Sequence, residues 1–147
     1  MKFDKEETNV GAHAILVTED NNILLQERDI LPGLINSGLI SMFGGTIKSN
    51  EDVTAGLKRE LREELKLDLS EKKIEKLGTY KKTKKIDGVE WTVNVFIVSH
   101  IKPQELILTE GRSIVSTNAK DVLKNKKLTR VTRLAIKDYL NKIKNYL

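Results

Sequence analysis

The sequence predicts an α/β fold, a mixed sheet with helices on both faces, and three observations predict it. Short apolar segments with period-two alternation recur from residue 10 to residue 116. One helical segment interrupts them and another closes the chain. Asp87-Gly88, between two apolar runs, is the strongest short-range hairpin signal present and sets at least one antiparallel pair.

In chain order, Val10 to Thr18 and Asn22 to Gln26 read as strands joined at Glu19-Asp20-Asn21. A loop follows from Asp29 to Gly38, marked by Pro32 and Gly33, and Ile40 to Phe43 is a short strand. Ser49-Asn50-Glu51-Asp52 supplies polar cap residues and early acids, and no Pro follows before Leu69, so residues 51 to about 66 are expected to be helical. A strand through Leu77-Gly78-Thr79-Tyr80 continues toward Ile86 and returns after the hairpin as Glu90 to Ser99, with Trp91, Val93, Val95 and Ile97 on one face. Leu106 to Leu108 and Ser113 to Ser116 read as further short strands, and Asn118 caps a small helix. Leu128, Val131, Ala135, Tyr139 and Ile143 repeat at helical spacing, which predicts a terminal amphipathic helix from Leu128 to Tyr146.

Composition narrows the function classes. The 147 residues suit one domain that buries roughly two thirds of its unfolded surface. Cysteine is absent, which excludes a disulfide framework and any Cys-based metal site. The start, Met1-Lys2-Phe3-Asp4-Lys5-Glu6-Glu7, has no apolar signal core, and no apolar run approaches the roughly 18 residues of a membrane span, so a cytoplasmic setting without membrane contact is expected. A net charge of +5 would suit nucleic acid, but aromatics make up only 5% of the chain, too few for a stacking platform interleaved with basic residues. The basic residues gather in Lys81-Lys82-Thr83-Lys84-Lys85 and from Lys120 onward, where they read as solvated surface whose positive field favours a polyphosphate.

The chemistry concentrates in the predicted central helix. Glu60, Glu63 and Glu64 fall within an arc of roughly 100°, because positions three and four apart share a face. Three like charges there repel, and a hard cation taking oxygen ligands, Mg²⁺ or Mn²⁺, resolves the conflict. Val53, Leu57, Leu61 and Leu65 form an apolar ridge for docking on a sheet. A charged surface helix laced by Lys58 and Arg62 is the plain alternative. Gly44-Gly45 ahead of the helix, where glycine lets backbone come close to a ligand, favours the functional one.

The pattern Gly45-x5-Glu51-x7-Arg59-Glu60-Leu61-x-Glu63-Glu64 resembles a Nudix box, the signature of Mg²⁺-dependent hydrolases that split a diphosphate linked to another group. Chance agreement at six of its positions, the Gly, the Arg and the four Glu, is on the order of 10⁻⁶ to 10⁻⁷ per window at average composition. The resemblance implies an α/β/α sandwich over the whole chain, with its specific part confined to residues 44 to 67. It also implies that Glu60, Glu63, Glu64 and the carbonyl of Gly44 bind metal, and that Arg59 holds the glutamates. Glu63 or Glu64 steers the attacking water, and Glu51 supports the network from the helix start. Outside the box, the family places a phosphate-binding Arg where Arg28 stands and a further ligand or base where Glu110 stands. Phe43 and Trp91 are the candidates to stack on a base. His13 and His100 are expected to be structural.

Two positions depart from the family pattern: Lys66 replaces the usual terminal Gly, and Ile40-Ser41-Met42-Phe43-Gly44-Gly45 lacks the Trp and Pro common in nucleotide-cleansing members. The helix is therefore expected to end differently, around Leu67-Asp68. The missing Cys argues against the related isopentenyl diphosphate isomerases. Thr83-Lys84-Lys85 carries neither the Pro of ADP-ribose hydrolases nor the Tyr of dinucleoside polyphosphate hydrolases, and the extra motifs of the coenzyme A and NADH enzymes are missing. The expected substrate is a nucleoside triphosphate, standard or oxidised, as a small-molecule partner. An RNA 5′ end and a non-catalytic nucleotide sensor are the lesser alternatives, and a homodimer is left open.

Overall fold

The computed structural model describes residues 7–30, 32–33, 37–83, 88–109 and 111–144. Among these, seven strands form one sheet, β1 (Glu7–Thr18), β2 (Ile23–Arg28), β3 (Ile40–Ser41), β4 (Phe43–Lys48), β5 (Ile74–Thr83), β6 (Glu90–Ile101) and β7 (Arg112–Thr117). Its path runs β3, β2, β1, β6, β5, with β4 pairing β1 and β7 pairing β2. The sheet is mixed because β1 and β6 run parallel, from Val10 opposite Thr92 to Thr18 opposite Ile101, whereas the other pairs are antiparallel. Three helices, α1 (Val53–Leu65), α2 (Ala119–Val122) and α3 (Arg130–Lys144), complete the described fold.

Side-chain alternation along β1 divides the core in two. Ile15 and Val17 join Val93, Val95 and Ile97 beneath Val131, Ala135, Ile136 and Tyr139 of α3. Ala14 and Leu16 face the other way, against Leu57, Leu61 and Leu65 of α1. Those three leucines are fully buried, each stabilising the docked helix by about 1.5–3 kcal/mol. The predicted sandwich with helices on both faces is thus the observed one.

Four differences from the sequence expectation bear on the site or its supports. The strand expected to stop at Phe43 continues as β4 through Gly44 and Gly45, because β1 supplies a partner along its whole length, from Glu7 opposite Lys48 to Ala14 opposite Phe43. Leu106 to Leu108 does not form a strand. Its backbone instead serves the end of α1: the Ile107 N–H donates to the Leu65 carbonyl at 2.9 Å, and the Thr109 N–H to that of Glu64 at 3.2 Å. Helix-end carbonyls have no partner inside the helix, so this segment satisfies them. Leu128 precedes α3 as an isolated bridge to Ile40, and the predicted helix end at Tyr146 lies outside the described residues. The hairpin residue Asp87 also lies outside them, although β5 and β6 pair antiparallel as expected, with Thr83 opposite Glu90.

The fourth difference is at the end of α1. Asp52 caps the start, accepting from the Ala55 N–H at 2.8 Å. At the other end Lys66 takes the left-handed conformation itself, with φ 55°, and its N–H donates to the Arg62 carbonyl at 3.0 Å. The helix therefore stops at Leu65, as it would with the family's Gly, and not at Leu67-Asp68. A side chain with a Cβ costs roughly 1–2 kcal/mol in this conformation, partly offset in a Gly variant by the added freedom of the unfolded chain. Lys66→Gly is expected to stabilise the protein by about 0.5–1 kcal/mol and raise the thermal midpoint by about 1–4 °C. A lowered midpoint would show that the Lys66 side chain contributes more than its backbone strain costs.

Candidate active site

The site is built where β4 passes between β1 and α1. Gly44 has φ 144°, and a Cβ there would lie 2.2 Å from the Ala12 carbonyl oxygen and 2.6 Å from the His13 Cα. Only glycine fits. Its N–H then donates to Oε1 of Glu64 at 2.8 Å. At Gly45 a Cβ would stand 2.5 Å from the carboxyl carbon of Glu60. The two glycines therefore make the space in which the Glu60 and Glu64 carboxylates lie against backbone.

Arg59 holds the exposed side of this cluster. Its Nη2 donates to Oε1 of Glu51 at 2.7 Å and to the Thr46 carbonyl at 2.9 Å, while Nη1 reaches Glu60 at 3.0 Å and Glu63 at 3.3 Å. Glu51 also accepts from the Lys48 N–H at 2.9 Å. The Arg59 hydrogen bonds hold the Glu51 carboxyl down at about 2, despite some burial in the opposite direction. One guanidinium thus ties β4, the residue before the helix cap and the acidic face of α1 together.

Glu64 is the buried member, only 8% exposed. Desolvation pushes its carboxyl up to about 7, and the Arg112 guanidinium and the Gly44 N–H offset only part of that. Burial likewise raises Glu60, with Arg59 opposing it. Arg112, on β7, ion-pairs with Oε2 of Glu64. Sequence reasoning missed this residue. Nothing local marks it, because its place follows from the register of β7 on β2 and from the path that brings β7 beside α1.

The donor set suits a hard divalent cation. Its side-chain donors are all carboxylate oxygens, the two best-buried carboxyls have raised pKa values that a nearby cation would lower, and Gly45 leaves the Glu60 carboxylate room beside the backbone. Among the described residues, however, no three carboxylates or imidazoles are gathered closely enough to hold an ion as they stand. Arg59 draws Glu60 and Glu63 to itself, and Arg112 holds Glu64. The repulsion expected on the helix face is thus met by two arginines in this arrangement.

The remaining predicted residues divide. Arg28 ends β2, half-buried, and alternation with buried Leu24 puts it on the α1 side of the sheet. Phe43 has no exposed surface and packs in the α1-side core, so its ring has no face to offer a base; its role is packing, which corrects the expected stacking. Trp91 is half-buried and alternates with Val93 onto the α3 side, away from the carboxylates. Glu110 lies outside the described residues. His13, opposite Gly44, is held down at about 4 by burial and by Lys82, so its imidazole is neutral at pH 7.

Comparison with known proteins agrees with this architecture. The family model for the NUDIX domain matches residues 7–128. A search of the curated proteins finds no match. Among solved structures, the chain is similar to a MutT NUDIX hydrolase from Burkholderia pseudomallei at 25% identity and TM-score 0.71, covering 88% of this chain and 95% of that one. It is also similar to the E. coli dihydroneopterin triphosphate pyrophosphohydrolase (16% identity, TM-score 0.75, 93% and 98% covered). A C. elegans Ap4A hydrolase gives 14% identity and TM-score 0.73, with 92% and 98% covered. These last two show the fold alone. The chain belongs to the Nudix family and is a hydrolase acting on phosphoric anhydrides, a family that generally uses a divalent metal.

The Glu51 pairing gives a pH signature. Its carboxyl sits below the ordinary 4.5, so the stability it contributes is present above about 4.5 and is lost as pH falls toward 2. Glu64, raised to about 7, acts in the opposite sense between 4.5 and 7, where rising pH costs stability. Glu51→Gln is expected to flatten the acid limb of a plot of thermal midpoint against pH between 4.5 and 2. An unchanged limb would mean that Arg59 does not hold Glu51 in solution.

Proposed function

We propose that this protein is a Mg²⁺-dependent pyrophosphohydrolase whose substrate is a nucleoside triphosphate, standard or oxidised, cleaved by water to a nucleoside monophosphate and pyrophosphate. The observation that carries the proposal is the Glu60 and Glu64 pair, set against Gly44 and Gly45 with both carboxyls raised by burial. Burial disfavours the charged form of both, and a nearby cation opposes that effect. The net charge of +5 supports a polyanion.

In this proposal Glu60, Glu63, Glu64 and the Gly44 carbonyl hold Mg²⁺ or Mn²⁺. The ion supplies charge neutralisation on the diphosphate oxygens as the anhydride bond breaks. Arg59 keeps the acidic face of α1 in register with β4, through its contacts to Glu51, Glu60 and the Thr46 carbonyl. Glu63, the exposed carboxylate of the cluster, steers the attacking water, and Glu110, two residues ahead of Arg112, accepts its proton. Arg28 binds a substrate phosphate, its side chain forming no hydrogen bond or ion pair to any described residue. Phe43 is buried and Trp91 lies on the α3 side of the sheet, so neither is assigned to the base. A cytoplasmic setting is part of this proposal.

A panel of nucleoside triphosphates, dinucleoside polyphosphates, ADP-ribose and a 5′-triphosphorylated RNA tests the assignment. Turnover is expected to be highest on a nucleoside triphosphate, to vanish in EDTA and to return with Mg²⁺ or Mn²⁺. Full turnover in chelator would sink the mechanism, and nucleotide binding without turnover on any substrate would make the protein a sensor.

Arg28 is tested separately. Removing a charge-assisted grip on phosphate costs roughly 1.5–3 kcal/mol, so Arg28→Ala is expected to lower kcat/KM about tenfold to a hundredfold or slightly more. The loss should be equal for purine and pyrimidine substrates, since phosphate contact ignores the base. Unaltered kinetics across the panel would remove Arg28 from the site.

A further inference from the structure

Two arginines face each other beside the carboxylate cluster. On the antiparallel pair of β2 and β7, Arg28 and Arg112 are direct cross-strand partners. Like charges placed opposite one another destabilise a sheet. Arg112 escapes this by pairing with Glu64 across the gap to α1, while the Arg28 side chain has no partner among the described residues. Both backbones are pinned: Arg28 donates to the Leu39 carbonyl at 3.2 Å and accepts from the Gly38 N–H at 3.0 Å, and the Asp29 N–H donates to the Gly111 carbonyl at 3.1 Å. The strand register places the two residues opposite each other, and these flanking bonds hold the strand ends.

We propose that Arg112 alternates between two partners, serving as the counter-ion of Glu64 in the metal-free protein and joining Arg28 as the second arm of a phosphate clamp once Glu64 is engaged by a cation. The clamp rests on the diphosphate substrate proposed above. Arg112 and Glu64 side chains are only 18% and 10% exposed. A guanidinium so placed cannot lose its anion without a new one, because an unpaired buried charge is costly. When Glu64 turns to a cation, the cross-strand neighbour of Arg112 is another guanidinium, so an anion from outside is what satisfies the pair. Two planar forks side by side match the oxygens of a phosphate bidentately. The ion pair thus couples the two sites: a cation drawn to Glu64 releases the residue that receives the substrate's phosphates.

A metal-free binding experiment separates this from a fixed structural ion pair. Glu64→Gln removes the competing carboxylate charge without adding a cation, and calorimetry with inorganic pyrophosphate in EDTA then reads the anion site alone. Glu64→Gln is expected to bind pyrophosphate about tenfold or more tighter than the unaltered protein, the scale of one added charge-assisted contact. The double variants Glu64→Gln/Arg112→Ala and Glu64→Gln/Arg28→Ala should each lose that gain. Glu71→Gln, which removes an exposed charge outside the carboxylate cluster, should leave the affinity within about twofold. No gain in Glu64→Gln, or a gain that survives loss of Arg112, overturns the clamp.

If Glu64→Gln fails to give a cooperative melt, the affinity for Mn²⁺ alone decides. Arg112→Ala should bind Mn²⁺ several-fold tighter, because Glu64 has lost its competitor, and an unchanged or weaker affinity overturns the proposal. None of these measurements uses turnover. Failure of the nucleotide panel would reject the reaction, whereas failure here would reject only the role of Arg112.

Discussion

The close approach of β4 to β1 at Gly44 is the constraint on which the site depends. A single Cβ at this position would collide with backbone of both Ala12 and His13. Without it, β4 pairs along β1, its N–H at Gly44 turns toward α1, and the buried carboxylate of Glu64 gains a donor. Gly45 repeats the effect one residue later for Glu60. The apolar ridge of Leu57, Leu61 and Leu65 presses α1 onto the sheet, so that Glu60 and Glu64 meet this backbone. Packing on one side of the helix and missing side chains on the other jointly create a patch of desolvated acid.

Desolvated acids require positive charge, and the fold supplies it from two directions. Arg59, within the helix, gathers Glu51, Glu60 and Glu63. Arg112 comes from β7, far along the chain, and meets Glu64. The two are not equivalent. Arg59, itself on the helix, holds three carboxylates and keeps Glu51 strongly acidic. Arg112 sits on the most deeply buried one, whose proton affinity stays high despite the pairing. In the proposed mechanism, the ion pair that a cation displaces is the one in which burial already opposes the charge. Cation binding, anion binding and the β7 register are linked through one residue.

The connection from β6 to β7 shows how the fold serves the same site indirectly. Residues that alternate like a strand instead hydrogen-bond to the carbonyls of Leu65 and Glu64 at the end of α1. This anchors the C-terminal turn of the helix that bears Glu64 and delivers the chain to Gly111 and Arg112. Lys66 accepts a left-handed backbone at the same helix end.

Much of the protein was determined by its sequence alone. The box spacing, the apolar ridge of α1, the Asp52 cap and the alternation of β1 and β6 are local properties, and short-range geometry converts each directly into structure. They carry the fold class, the family and the acidic face. Tertiary structure decided the rest. β4 exists because β1 offers it a partner, and glycine-rich sequence gives no sign of that. Phe43 is core and not a stacking surface because the alternation of β4 turns it beneath α1. Arg112 has no local signature, since it lies 48 residues from Glu64 and reaches it only through the register of β7 on β2. Helical and strand periodicity is written in neighbouring residues. Which distant charge a buried carboxylate meets is fixed only when the sheet closes.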